Sequence, residues 1–214
     1  MFFLALLACS SPTRLAHVEG ATRLTELANG ELLVGTATGQ LWLVTSFGEA
    51  RLLTTVGVRR VVELVSDPLG RYWAREEGGE VLTGNAWSSE VHRVGPASVL
   101  VRRCDETQLL EMADAGVGVS AISLGPNSCD TLVRGTEDGQ VDGQHVTEAR
   151  IARVQAVGDG VLWVDASMRA GCLGCSTRVP EAGVVDALAL HLAPFVAGEV
   201  VWIDAGGTLW IAHD

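Results

Sequence analysis

The chain has 214 residues, of which 48% are apolar, and its formal net charge is −11 because 15 basic residues, all Arg, face 26 acidic ones. This apolar content excludes intrinsic disorder, and a chain of this size buries roughly 70% of its unfolded surface. The acidic balance argues against nucleic-acid binding, which needs clustered Arg and Lys, and no apolar run reaches the roughly 18 residues of a membrane-spanning helix.

The first twelve residues have the pattern of an export signal. Seven apolar residues follow Met1, and small residues surround Cys9. The run has the length of the apolar core of a secretory signal and is too short to cross a bilayer. The segment 6–9 (LLAC) resembles the bacterial lipobox, which implies cleavage before Cys9 and lipid attachment to it. An apolar first strand is the alternative interpretation.

This pattern predicts the domain organisation. We expect a lipoprotein-type signal peptide at residues 1–8, a tether at 9–17 and a single domain at 18–214. Ser10, directly after Cys9, resembles the outer-membrane sorting signal. The protein is therefore expected to be exported and anchored to the cell envelope at the outer membrane, with membrane contact through the lipid anchor only.

Short strand–turn–strand units recur from residue 32 onward. The segment 35–40 (GTATGQ) returns 100 residues later as GTEDGQ at 135–140. Asp-Gly and Gly-Gly between apolar runs supply the positive φ that tight hairpins need, and the runs themselves are rich in Val, Leu and Trp. Six turn glycines mark the units: Gly39, Gly79, Gly116, Gly139, Gly171 and Gly207.

Each unit corresponds to three or four strands, and one such sheet cannot bury both of its faces alone. Radial stacking solves this problem, so we predict an all-β fold, a β-propeller of about six short, degenerate blades, with five or seven also compatible. The segment 184–192 has apolar residues at helical spacing as well. Its position before the final hairpin favours a strand.

Four cysteines follow Cys9, and an even number in an oxidising compartment fits a disulfide framework with three possible connectivities. The favoured pairs are Cys104–Cys129 and Cys172–Cys175. A redox-active Cys-x-x-Cys pair, a four-thiolate zinc site and plain buried thiols are the alternatives.

Three segments resemble repeats of the regulator-of-chromosome-condensation type. They are 184–190 leading into 201–210, 120–129 followed by 139–141, and 59–64 continuing to 79–85. The resemblance implies a propeller that binds proteins. In bacteria, such repeats often occur in exported or lipid-anchored proteins.

No complete catalytic or metal-binding motif is present in the sequence. The five His have no zinc-ligand spacing, and nucleophile elbows, P-loops and dinucleotide fingerprints are missing. Asp138, Asp142 and His145 lie close together in one predicted loop, but hairpin turns explain these Asp-Gly pairs better. We therefore predict no catalytic residue, no cofactor and no metal.

The tryptophans and the basic doublets each have two interpretations. The six Trp are expected to pack between blades, whereas a ring of exposed Trp would favour a carbohydrate or peptide site. The doublets at 59–60 and 102–103 are expected to be solvated strand ends. The tryptophans are Trp42, Trp73, Trp87, Trp163, Trp202 and Trp210.

Taken together, these patterns favour a protein-binding or scaffold propeller whose partner is another exported or envelope protein. A propeller that binds carbohydrate or a small ligand is the second hypothesis. An enzyme whose site is assembled across blade loops is the third.

Overall fold

A computed structural model describes most of the two ends of the chain and the strands between them. The described residues are 11–66, 71–78, 80–85, 91–96, 108–114, 119–124, 131–135, 141–146, 151–157, 160–173, 179–195 and 199–212. Within these ranges the chain forms nineteen strands and no helix. This part of the chain accordingly has no helix with the length and hydropathy needed to cross a bilayer.

The strands form five antiparallel sheets, which we call blades one to five. Blade one consists of β2 (Ala21–Glu26), β3 (Leu32–Thr36), β4 (Gln40–Val44) and β5 (Ala50–Thr55). Blade two consists of β6 (Val61–Ser66), β7 (Arg71–Glu76), β8 (Glu80–Asn85) and β9 (Val91–Pro96). Blade three consists of β10 (Gln108–Asp114), β11 (Val119–Leu124), β12 (Thr131–Gly135) and β13 (Val141–Val146). Blade four consists of β14 (Ile151–Val157), β15 (Gly160–Asp165) and β16 (Ala170–Leu173). Blade five is β1 (Thr13–His17), β19 (Thr208–Ala212), β18 (Val200–Asp204), β17 (Val184–Ala189).

The first strands of most neighbouring blades lie side by side, and those of blades one and two run in the same direction. Thr22 near the start of β2 donates to Val61 O of β6 (2.8 Å), and Ser66 at the end of β6 donates to Glu26 O (2.6 Å). Likewise, β14 lies beside β17 and β17 beside β2, while β10 contacts β14. Sheets placed around common inner strands in this way form a β-propeller, which confirms the predicted fold class.

The described residues contain five sheets, which is within the prediction of about six blades with five or seven also compatible. Gly116 precedes β11 and Gly139 precedes β13, so two of the six predicted units belong to blade three. Both glycines themselves lie outside the described residues. Gly171 is not in a turn but within β16, opposite Trp163, whose ring occupies the space that a side chain would fill. Turn chemistry marks every hairpin of an antiparallel sheet, so counting turn glycines overestimates the number of blades.

Blade five is completed by the beginning of the chain. β1 pairs with β19, from Thr13 opposite Ile211 to His17 opposite Thr208. Residues 13–17, expected in the tether, are therefore a strand, because pairing satisfies the exposed edge of β19. The segment at 184–189 is also a strand, as predicted.

Apolar side chains fill the spaces between blades. One cluster joins blade one to blade five, a second joins blades one and two, and a third joins blades four and five. Fully buried members include Leu24, Val34 and Leu209 in the first cluster. The core thus lies between the sheets, where neither sheet could bury its face alone.

One buried ion pair connects three blades. Arg153 of β14 donates from Nε to Oδ1 of Asp186 in β17 at 2.8 Å. The other oxygen of Asp186 accepts from Leu24 N of β2 (2.9 Å), and Arg153 Nη2 donates to Leu24 O (2.8 Å). The Asp186 side chain is 1% exposed. Its charge therefore depends on these partners, since an unpaired buried carboxylate is very costly.

Replacing Asp186 should destabilise the propeller strongly. Asp186→Ala leaves the partly buried Arg153 guanidinium without its carboxylate and Leu24 N without its acceptor, and we expect the free energy of unfolding to fall by about 3 kcal/mol or more. Urea denaturation followed by Trp fluorescence measures this. The exposed Glu181 provides the control, and Glu181→Ala should stay within about 0.5 kcal/mol of wild type. Equal effects of the two variants would contradict the role given to Asp186.

A glycine pair tests the junction between β1 and β2. Gly207 and Gly183 both have φ +80°, but only at Gly207 would an added Cβ overlap Val18 O. Gly183→Ala should cost about 1–2 kcal/mol from its backbone conformation alone. Gly207→Ala should cost clearly more, since the junction must also shift. Thermal and urea unfolding compare the stabilities of the two variants. Equal losses of stability would show that the contact between Gly207 and Val18 O does not constrain the junction between β1 and β2.

Candidate functional site

Because the inner strands run in parallel, the loops divide between two faces of the propeller. The Val58 face is defined by loops that lead into the first strands or join second to third strands, at residues 18–20, 37–39, 56–60, 77–78, 166–169 and 205–207. The Phe47 face is defined by loops at the opposite strand ends, at residues 27–31, 45–49 and 190–195. Side chains in the loops of one face are therefore separated from those of the other face by the length of a strand.

The loop at 56–60, between blades one and two, is fixed by its backbone. Val56 N donates to Gly39 O (2.8 Å), and Glu77 N donates to Arg60 O (2.9 Å). Arg59 N donates more weakly to a carboxylate oxygen of Glu76 at 3.4 Å. The loop is thus held from both sides, by turns of blade one and of blade two.

This fixed loop presents an apolar side chain next to two cations. Val58 is 89% exposed, and Arg59 and Arg60 are exposed as well. The exposed residues 37–38 lie beside them, because the turn at 37–39 is bonded to this loop. We call residues 37–38 and 58–60 the Val58 surface. Glu77 is an exposed acid at its margin. This arrangement suits an acidic ligand with some apolar character.

Polar side chains fix the neighbouring turns of the Val58 face. Thr36 Oγ1 accepts from Gln40 N (2.9 Å), and Asp165 Oδ1 accepts from Ser167 N (2.9 Å) and Arg169 N (3.0 Å). Thr36 and Asp165 hold equivalent positions in their blades. The first strand of each blade contains a β-bulge, and the residue directly before that bulge pairs with Thr36 in blade one and with Asp165 in blade four.

Asp204 holds the same position in blade five. Its Oδ1 accepts from Gly206 N (2.8 Å) and Thr208 N (2.9 Å), and its Oδ2 accepts from Trp210 Nε1 (2.8 Å). Burial alone would raise the pKa of Asp204, but these hydrogen bonds outweigh it and hold the pKa below its usual value of 3.8. The charged form of Asp204 is therefore part of the folded turn.

A second set of equivalent positions forms a ring of charged residues around the inner strands. The residue directly after the first-strand bulge is charged in every blade: Arg23, Glu63, Glu111, Arg153 and Asp186. Where side chains are described, these groups bond within or between blades. Arg23 Nε donates to Val62 O (2.8 Å), and Glu63 accepts from Arg75 Nε (2.6 Å), a hydrogen bond that raises the pKa of Arg75. We assign the ring to blade assembly.

The predicted lipid and disulfide residues lie mostly beyond the structural description. Cys9, Cys104, Cys129 and Cys175 are outside the described residues, while Cys172 lies in β16. The lipid attachment and both disulfide pairs remain predictions.

The loop expected to carry three metal-type ligands is partly a strand. Asp142 and His145 lie in β13, and Asp138 is outside the described residues. The apolar Val141 and Val146 at the ends of this segment suit a strand paired with β12. Among the residues described by the structure, no group of three or more His, Cys, Asp or Glu is placed to hold a metal ion.

The described tryptophans are mainly packing residues. Trp163 and Trp202 are 7% and 3% exposed, as expected for residues between blades. Trp42 and Trp210 are half-buried, and their indole nitrogens donate to Gln40 and to a carboxylate. Trp73 is half-buried below the Arg71 guanidinium, which lies 5.7 Å from its ring centroid. Trp87 lies outside the described residues.

Sequence reasoning missed two features of the surface. It treated the doublet at 59–60 as a solvated strand end, which is correct for its exposure, but it did not single out Val58 or Phe47. Val58 and Phe47 are both apolar residues next to a turn glycine, and this position was the only feature of the sequence that could have indicated their exposure. The Arg153–Asp186 pair was missed because its two residues are distant in sequence.

Comparisons with known proteins support the fold. No protein-family model and no curated protein matches the chain. Among solved structures, the chain is similar to the extracellular domain of a protein named as a hybrid two component system from B. thetaiotaomicron, with a TM-score of 0.52, 7% identity, 95% of this chain covered and 39% of the other. The chain thus spans about two fifths of that domain.

Two further similar structures are named as propellers. The β-propeller domain of Cps50 (Swd1) from Myceliophteria thermophila aligns with a TM-score of 0.43 and 10% identity, covering 94% of this chain and 87% of the other. The WD40 β-propeller domain of Doa1 aligns with a TM-score of 0.35 and 11% identity, covering 86% and 61%. Both TM-scores lie below 0.5, and neither likeness concerns an activity.

The pKa of Asp204 predicts an acid-dependent loss of stability. A carboxylate with a lowered folded pKa stabilises the protein above its unfolded pKa, and this contribution is lost as the pH falls through the folded pKa. Asp204→Asn should therefore be less stable than wild type near neutral pH, and the difference should shrink below pH 3.8. Urea denaturation across this range measures it. A difference that stays constant with pH would contradict the proposed hydrogen bonds, and Glu19→Gln on the same face is the control.

Proposed function

We propose that the chain is an exported, lipid-anchored propeller that binds another exported or envelope protein through its Val58 face. The observation that carries this proposal is Val58, which is 89% exposed beside Arg59 and Arg60 on a loop fixed by hydrogen bonds to both neighbouring blades. A fixed loop loses little conformational entropy on binding, and Arg is enriched at protein interfaces.

Charge supports a particular kind of partner. On a chain with a net charge of −11, the doublet at 59–60 exposes two cations together, with Glu76 buried behind the loop and Glu77 at its margin. Such a pair of cations attracts an acidic segment and helps to fix its orientation. The exposed isopropyl group of Val58 adds an apolar contact. The partner segment is therefore acidic with at least one apolar side chain.

The anchor rests on the N-terminal sequence. The segment 6–9 resembles a lipobox, and Ser10 resembles an outer-membrane sorting residue. The resemblance to regulator-of-chromosome-condensation repeats fits a protein-binding propeller of the kind found among exported bacterial proteins. Several acyl chains on Cys9, at about 0.8 kcal/mol per buried CH₂, would hold the protein firmly at a membrane.

Lipid attachment is tested by metabolic labelling. Cells that produce the wild-type protein in the presence of radioactive palmitate should yield a labelled band, and Cys9→Ser should abolish the label because the acceptor thiol is gone. Ser11→Ala, two residues after Cys9, serves as the control and should remain labelled because it leaves the acceptor thiol in place. An unlabelled wild-type protein would overturn the anchoring part of the proposal.

Partner binding is tested by reversing the charge of the Val58 surface. Affinity capture after crosslinking in the native cells should return a reproducible partner, and Arg59→Asp with Arg60→Asp should reduce its yield by roughly tenfold or more, since a repulsive pair replaces an attractive one. Arg71→Asp, at an exposed position of β7 outside the Val58 surface, is the matched control. Equal capture by all three proteins would exclude this surface, and repeated empty captures would count against a binding function.

A further inference from the structure

The most exposed large apolar side chain that the structure describes is Phe47, at 91%. It lies at the tip of the turn between β4 and β5, on the face opposite Val58. Thr45 N donates to Glu49 O (3.0 Å), Gly48 N donates to Thr45 O (2.9 Å), and Thr45 Oγ1 accepts from Glu49 N (3.2 Å). The turn is therefore fixed, and it holds the phenyl ring out into its surroundings.

This turn lies directly against the first strand of the protein. Gly48 has φ +81°, and a Cβ at this position would overlap Leu15 O of β1. β1 begins at Thr13, and its first residue is on the same side of the propeller as Phe47. Cys9, the proposed site of lipid attachment, comes two residues before Ser11 in the sequence.

Two cations are placed near the same edge. Arg14 is the second residue of β1 and Arg51 is the second residue of β5, and both are exposed. At 3.3 Å per residue, each lies within about one residue of a strand end on the Phe47 face. Glu49 is an exposed acid beside them. On a strongly acidic chain, an exposed aromatic ring with two neighbouring arginines matches a surface of phosphate headgroups above an apolar interior.

We propose that Phe47, Arg14 and Arg51 form a membrane-contact edge, in which the Phe47 ring enters the lipid interface and the two arginines bind headgroup phosphates. The inference rests on the proposed lipid attachment at Cys9, and it departs from the expectation that the membrane is contacted through the anchor alone. Leu192, 40% exposed on the loop at 190–195 of the same face, adds apolar surface.

The contact fixes the orientation of the protein. The inner strands of blades one and two have six residues each, which corresponds to roughly 20 Å between the two faces. With Phe47 in the lipid interface, the Val58 surface points away from the membrane and stays accessible to a partner. Anchoring and partner binding then use opposite faces.

Site-specific photocrosslinking in the native cells tests the orientation. Benzoylphenylalanine replaces Phe47 in one full-length protein and Val58 in another, and mass spectrometry identifies what each residue captures after irradiation. Phospholipid adducts are expected at position 47 and not at position 58. Adding Arg14→Ser and Arg51→Ser should reduce the adducts at position 47 several-fold, while Arg59→Ser with Arg60→Ser should leave them unchanged.

Palmitate labelling of the same cells separates the two proposals. A labelled protein without lipid adducts at position 47 would overturn the membrane-contact edge while leaving the anchor intact. A protein crosslinked at position 47, whether another protein or a second copy of this chain, would also overturn it. Lipid adducts at position 47 in an unlabelled protein would support the edge and reject the anchor.

Discussion

The contact on which the propeller most depends is the buried network of Arg153, Asp186 and the Leu24 backbone. It joins the inner strands of blades four, five and one at a point where a carboxylate is almost completely removed from water. Apolar packing between sheets is tolerant of small sliding movements, whereas charged hydrogen bonds are not. The network therefore fixes the register of three sheets, and the loops on both faces inherit their positions from it.

Much of the fold could be predicted from the sequence, because antiparallel hairpins have a local signature. Runs of Val, Leu and Trp around glycine turns correctly indicated an all-β propeller, and 184–189 is the expected strand. Blade number was less accessible, since nothing local distinguishes the outer hairpins of blade three from the central hairpin of another blade. The role of residues 13–17 was also hidden, because their pairing partner is at the other end of the chain.

The candidate surfaces could be predicted from the sequence only in part. Arg59 and Arg60 were visible as a doublet, but the exposure of Val58 and Phe47 depends on how two turns are held by neighbouring strands. Equivalent positions became recognisable only through the strand pairing, which showed that a charged residue follows the bulge in each of the five first strands. Composition could not separate charges that join blades from charges that remain available to a ligand.

The pairing of β1 with β19 also bears on the order in which the protein is assembled. β1 has to wait for β19, which follows it at the other end of the described residues, so blade five cannot be completed before β19 has been synthesised. Contacts between such distant segments close slowly. Blade five is therefore completed only when residues 208–212 are available to pair with residues 13–17.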